Sequence, residues 1–467
     1  MDTMGGRSSG LRYRLNNWTA GVVATLVLLT PVALGGNRPA IWALSAVFLF
    51  VWGTIYFGRL GFADVSLRAT TRHFRLPTIL FGLTAGYMVI QTLPLAGLLP
   101  SSWLALPGGV DPGRSVSIAP GDTGLALMRW LSYGLLFYLC LQISANSSRS
   151  RTFLTVLFWI VVAHAIYGLA LFLEFGDSIL FTDKWAYLGS ATGGFVNRNS
   201  YATFLAIGLT IGTTLLANRL LSAATENRAR RWINVFEGMS GAIYLMIGCL
   251  LLVVTLALTA SRMGFFAALC GSLAALVLLA WQRGHRFGGR ALVAIVVAGV
   301  AGLGLLVLLY GTFLFERLGS VESDANVRAS LYWQIWSMIA DRPLLGFGGS
   351  SFEYAYPLYH QAPVNFDLVW DKAHSTYLEL WVSYGLVVGT FPMIILAWCL
   401  LRLFGLVRRD GKGDPAVLAA IGTIVVGAIH SIVDFSLEIQ GVAYLFIAVV
   451  ANGLGAMSRR VRQSERG

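Results

Sequence analysis

Residues 239–260 read MSGAIYLMIGCLLLVVTLALTA, a stretch with no charged residue. About 20 apolar residues in an α-helix rise roughly 30 Å, the thickness of a bilayer's hydrocarbon core. The run is continuous rather than alternating, which fits a spanning helix and not a barrel strand. In lipid, each backbone N–H and C=O must be satisfied within the chain, and a helix does this by itself. Working outward, further apolar runs occupy 18–34, 39–57, 76–94, 124–143, 152–173, 200–217, 263–281, 291–311, 375–401, 416–433 and 439–457. With 239–259 they predict an all-α polytopic membrane protein of about twelve transmembrane helices. Composition agrees: 56% of the 467 residues are hydrophobic and 12% are charged, against roughly a quarter charged in a soluble domain.

The formal net charge of +12 is explained by where the charges fall. With the N-terminus in the cytoplasm, the segments on that side hold 24 of the 34 Lys and Arg residues. Among them are Arg59, Arg68, Arg72 and Arg75 in one loop, and Arg228, Arg230 and Arg231 in another. This asymmetry is the positive-inside signal, so no nucleic-acid partner is needed to account for it. Both termini are then cytoplasmic. The organisation expected is transmembrane helices 1–9 in residues 1–311, one large outer loop over 312–373, and helices 10–12 with a cytoplasmic tail over 374–467. Arg7, Arg12 and Arg14 ahead of the first span fit a retained signal anchor. Cys140, Cys249, Cys270 and Cys399 all fall inside apolar spans, with no metal spacing and no disulfide framework.

Polar residues near the outer membrane face call for explanation, because a charge at the centre of a span costs roughly 2.5–3.5 kcal/mol. In Gly193-Gly194-Phe195-Val196-Asn197-Arg198-Asn199, the two asparagines can cap the sixth span. Arg198 then stands at a helix N-terminus, which favours an anion; the alternative is a cap with a snorkelling arginine. In Thr259-Ala260-Ser261-Arg262, a very short connection holds Arg262 at the membrane surface. Its guanidinium is either a bidentate phosphate fork or an interfacial anchor. Asn326-Val327-Arg328 with Leu331, Trp333, Ile335, Trp336 and Ile339 reads as an amphipathic helix, stopped by Asp341-Arg342-Pro343 and a turn at Gly346–Gly349. That helix is a structural lid for most of its residues.

His374-Ser375-Thr376-Tyr377 opens the tenth span, and the spacing puts His374, Tyr377, Leu378, Trp381 and Gly385 on one helical face. Near neutral pH a histidine can accept a proton, and it can equally cap or pack. His430-Ser431-Ile432-Val433-Asp434 closes the eleventh span, where Asp434 either orients a base or enters an interhelical ion pair. His73, His164, His285 and His360 receive no role. P-loop, HExxH and GxSxG patterns are missing.

Taken in order, Gly194–Asn199, Thr259–Arg262, Arg328–Gly348, His374–Gly389 and His430–Phe435 resemble the O-antigen ligase and polymerase superfamily of bacterial membrane glycosyltransferases. The resemblance implies a GT-C-like helical enzyme of the inner membrane, working at the periplasmic face without a metal or other cofactor. It implies an undecaprenyl-pyrophosphate-linked glycan as donor and lipid A–core or another glycan as acceptor. His374 and Arg262 would be catalytic, and Arg198, Arg262 and Arg328 would hold the donor pyrophosphate. Asn197, Asn199, Tyr377 and Asp434 would support them. A polymerase of O-antigen or exopolysaccharide is the nearest alternative, and a transporter of lipid-linked oligosaccharide is a further one. Internal repeats and broken helices would mark a transporter; the sequence shows neither clearly, and its candidate residues gather at one face.

Overall fold

The computed structural model describes residues 2–180, 182–223, 231–283, 318–367, 369–409 and 413–464. Among them the chain is helical, with no β-strand. The long helices are α1 (Asp2–Leu29), α2 (Pro39–Phe62), α3 (Arg75–Thr92), α4 (Pro120–Ser144), α5 (Ser147–Leu173), α6 (Arg198–Ala223), α7 (Arg231–Leu258) and α8 (Arg262–Gln282). They continue with α9 (Leu318–Asp341), the short α10 (Phe352–Ala355), α11 (Thr376–Arg409), α12 (Pro415–His430) and α13 (Gln440–Ser464). The chain is a multi-pass all-α membrane protein.

Nine helices among the described residues are long and apolar enough to cross a membrane. The expected spans at 76–94 and 416–433 are present as α3 and α12, but neither is among the nine; α12 has only 16 residues. The expected span at 291–311 lies outside the described residues. Nearly every residue of α12 is buried against other helices, so a short helix suffices there. Side chains such as Leu44 (68% exposed) and Leu250 (64% exposed) point outward as a lipid-facing surface requires.

Helix α13 is the axis of the bundle, with 89% of its most apolar window buried. Its Asn452 accepts from Ser144 (2.6 Å) and Ser150 (2.8 Å), tying it to α4 and α5. Small residues let α6, α8 and α12 pack backbone to backbone, as membrane helices do. A Cβ on Gly271 would lie 2.7 Å from the Gly422 carbonyl, and one on Gly422 2.5 Å from the Gly271 carbonyl.

Helix α11 is broken at Gly385, whose φ of 72° is left-handed. The sequence showed no broken helix, so this break corrects that reading, and backbone groups on both sides of it find partners outside the helix. Leu386 N–H donates to the Pro343 carbonyl (2.7 Å), while the Val382 and Ser383 carbonyls accept from Phe347 (2.8 Å) and Gly348 (3.0 Å). The glycine turn expected after Pro343 is thus the partner of the break. Helix α9 starts earlier than expected, at Leu318, with Asn326 inside it. Its Leu331, Ile335, Met338 and Ile339 are buried in a second core with Phe347, Phe352 and Val382, and Trp333 and Trp336 face out.

Candidate active site

Helices α6 and α8 lie parallel, their N-termini side by side at one end of the bundle. Asn197 caps α6, its side chain accepting from Asn199 N–H at 2.7 Å, and Ser261 caps α8, accepting from Gly264 N–H at 3.3 Å. Each cap is followed at once by an arginine, Arg198 in one helix and Arg262 in the other. Two helix dipoles and two guanidiniums therefore share one end of the bundle, an arrangement that favours an anion. Arg262 is exposed and Arg198 half-buried. Arg198 also reaches Ser190 (3.4 Å) and lies 5.6 Å from the Tyr187 ring centroid.

A chain of hydrogen bonds registers these ends against the rest of the site. Ser261 Oγ donates to Asn199 Oδ1 (2.8 Å), and Asn199 Nδ2 donates to Asp434 Oδ1 (3.3 Å). Asp434 is fully buried and also accepts from Ser436 Oγ. Its Oδ2 stands 3.9 Å from His430 Nδ1, which is 2.6 Å from Thr203 Oγ1 on α6. Asp434 thus orients neutral and imidazole partners. Its carbonyl, with that of Ser431, accepts from Thr376 N–H and caps α11.

His374 does not lie on the helical face read for it. Helix α11 begins at Thr376, and His374 precedes it with a φ of 52°. The shared face fails for two reasons: the helix starts too late to include His374, and Gly385 turns it. A non-glycine residue in this region is strained and is characteristic of functional sites. The imidazole is held edge-on between Trp370 (5.3 Å) and Phe435 (5.0 Å), and the His374 carbonyl accepts from Tyr332 hydroxyl (2.9 Å). Burial pulls the His374 pKa below its ordinary value; Asp434 opposes this, and Arg328 adds to the lowering. The ring is therefore neutral and able to take a proton near neutral pH. Arg328, exposed on α9, acts on His374, Tyr187 and Tyr332 electrostatically.

The structure joins Asn197, Asn199, Asp434 and the caps before Arg198 and Arg262 into one network, and brings Arg328 and Asp434 within electrostatic reach of His374. Tyr377 is elsewhere. Its hydroxyl donates to the Ala428 carbonyl (2.9 Å), and its ring lines a separate cavity behind α11. Thr203, Ser436 and Tyr187 were not singled out by the sequence, and His430 was named there only as part of the segment ending at Asp434, without a role. His430 carried a signal, as a histidine four residues before Asp434 at a helix end. Among the described residues, no group of three or more His, Cys, Asp or Glu side chains is arranged to hold a metal ion.

No curated protein matches the chain. Residues 247–393, a segment that carries Arg262, Arg328 and His374, match the family model described as O-antigen ligase, and this match supports the O-antigen ligase superfamily.

Proposed function

We propose that the protein transfers a glycan from undecaprenyl pyrophosphate to an acceptor hydroxyl at the periplasmic face of the inner membrane, with lipid A–core as the acceptor. The observation that carries this reading is the pair of adjacent helix N-termini, each headed by an arginine and coupled through Ser261, Asn199 and Asp434 to the segment bearing His374. The acceptor oxygen attacks the anomeric carbon as the bond from that carbon to the pyrophosphate oxygen breaks. The bonding pair leaves with the pyrophosphate, whose growing negative charge meets Arg198, Arg262 and Arg328. The hydroxyl proton passes to the neutral imidazole of His374. Displacement from the opposite face inverts the anomeric configuration. The described part of the 312–373 loop, residues 318–367 and 369–373, covers the site, and the termini lie in the cytoplasm.

A strain lacking the protein tests the reading and separates it from its neighbours. Loss of a ligase leaves full-length polymer on undecaprenyl pyrophosphate and bare lipid A–core. Loss of an O-antigen polymerase leaves lipid A–core carrying a single repeat. Loss of an exopolysaccharide polymerase leaves lipopolysaccharide unchanged and removes the secreted polymer. An unchanged lipopolysaccharide ladder with secreted polymer intact would refute all three.

A further inference from the structure

A second set of buried charges gathers around Lys372 and takes no part in the chemistry above. Lys372 Nζ stands 3.6 Å from Glu438 Oε2. Arg129, from within α4, has its guanidinium 4.1 Å from the Trp42 ring centroid and donates to the Glu438 carbonyl and to Tyr133 hydroxyl (3.1 Å). Glu379 accepts from Ala373 N–H (3.1 Å) and Ser383 hydroxyl (3.4 Å). Two atoms are left over: Arg129 Nε and Glu438 Oε1 are buried with no hydrogen-bond partner. Arg129 is only 8% exposed, and intramembrane charges of this kind are costly and characteristically functional. Burial, with Glu379 adding to it, pushes the Glu438 carboxyl above the usual carboxylate range, and Lys372 and Arg129 pull it back. Burial works against the charge on Lys372, but Glu438 and Glu379 outweigh it and raise its pKa.

These four residues line one end of a cavity of about 230 Å³ behind α11, together with the rings of Trp130, Tyr133 and Tyr384. Trp130, Tyr133, Pro392, Leu396, Phe446 and Ile447 also line a second cavity of about 310 Å³, so the two adjoin across these side chains. The second reaches Phe74 and Thr71 before α3, and no charged residue lines it. Only 17% of the most apolar window of α11 is buried, the lowest value of the nine spans. A long apolar channel that is polar at one end has the form of an amphiphile with one chain in place. The polar end identifies the head. A phosphate would meet the carboxylates of Glu379 and Glu438. Hydroxyls suit the mixture, accepting from Lys372 and Arg129 and donating to Glu438, and aromatic rings stack against the C–H face of a sugar.

We propose that the channel behind α11 binds one hydrocarbon chain and the sugar head of the glycolipid acceptor, with Arg129, Lys372 and Glu438 holding the head. The proposal rests on the transferase reading. Lys372 is two residues before His374, and Glu438 three after the Phe435 that packs on its ring. The head is therefore held next to the segment that carries His374.

The test uses the full chain in nanodiscs and a dodecyl glucoside carrying a diazirine at its chain end. Irradiation should label peptides from 124–144 and 440–459. Unlabelled dodecyl glucoside should compete at least about tenfold better than dodecylphosphocholine. Glu438→Gln and Lys372→Met should each weaken labelling about tenfold, the scale of a lost charged hydrogen bond. Leu396→Trp, which fills the channel without touching the charges, should abolish it. Arg262→Ala should label as wild type does. Label elsewhere, equal competition by dodecylphosphocholine, or unaltered labelling of both charge variants would overturn the site. In transfer assays Glu438→Gln should raise KM for the acceptor and leave KM for the donor unchanged; a rise in the donor KM alone would overturn the assignment to the acceptor. A wild-type enzyme that labels as expected yet transfers no glycan would count against the transferase reading and not against the binding site.

Discussion

Exchanging a single methyl group between α6 and α8 tests whether the two arginine-headed helix ends must be held together. A Cβ on Gly264 would lie 2.5 Å from Ala202 Cβ and 2.9 Å from the capping Ser261 Oγ. Carbon atoms settle at about 3.5–4.0 Å, so Gly264→Ala must part the helices by about 1 Å just below Arg198 and Arg262. Overpacking of this kind costs about 1–3 kcal/mol, offset by up to about 1 kcal/mol from the better helix propensity of alanine. The effect on turnover should be larger, because a misplacement of about 1 Å can cost on the order of 100-fold in rate. The assay is glycan transfer in proteoliposomes per folded molecule, alongside the unfolding midpoint followed by tryptophan fluorescence. Gly82→Ala is the control, since a Cβ there meets nothing within 4 Å. Adding Ala202→Gly to Gly264→Ala moves the methyl across the interface and should restore most of the rate. Wild-type turnover by a measurably destabilised Gly264→Ala, or no rescue by the exchange, would refute the argument that the paired N-termini act together.

Arg262→Ala should abolish transfer at normal accumulation, and Arg262→Lys should recover only part of it, because an ammonium lacks the guanidinium fork; full activity of the alanine variant removes Arg262 from the site. With His374 held below its ordinary 6.5 by burial, activity should persist through neutral pH and fall only as pH drops through that lowered value. Arg328→Ala removes a cation that lowers it and should move the acidic limb to higher pH, whereas Asp434→Asn should move it to lower pH. Shifts in the same direction would unseat His374 as the base. Activity should survive excess EDTA, since arginines take the place of a cation; loss reversed by magnesium or manganese would contradict this. A cysteine placed in 312–373 should react with an impermeant thiol reagent from the periplasm, and one in 221–231 should not; the reverse pattern inverts the topology.

The sequence by itself determined that this chain is a helical membrane protein, because the decisive quantities are local. The length of an apolar run measures a span, and 239–258 of the run at 239–260 lies within α7. Asn197 caps α6 as expected, because a cap reaches only two or three residues along the chain. The same locality brought out Arg198 and Arg262, which stand at helix starts. Arg129, a charge within the fourth span, was not singled out, and what it meets could not be read from the chain. Lys372, Glu379 and Glu438 come from three other places in the chain, and only packing assembles them. Tertiary structure alone decided that Asn199 bridges Ser261 and Asp434. It also moved His374 off the helix read for it. A periodicity argument assumes an unbroken helix, and α11 begins late and breaks at Gly385, where carbonyls that should have bonded along the helix find N–H groups from 347–348 instead. Those partners lie far away in sequence, and nothing in the local pattern announces them.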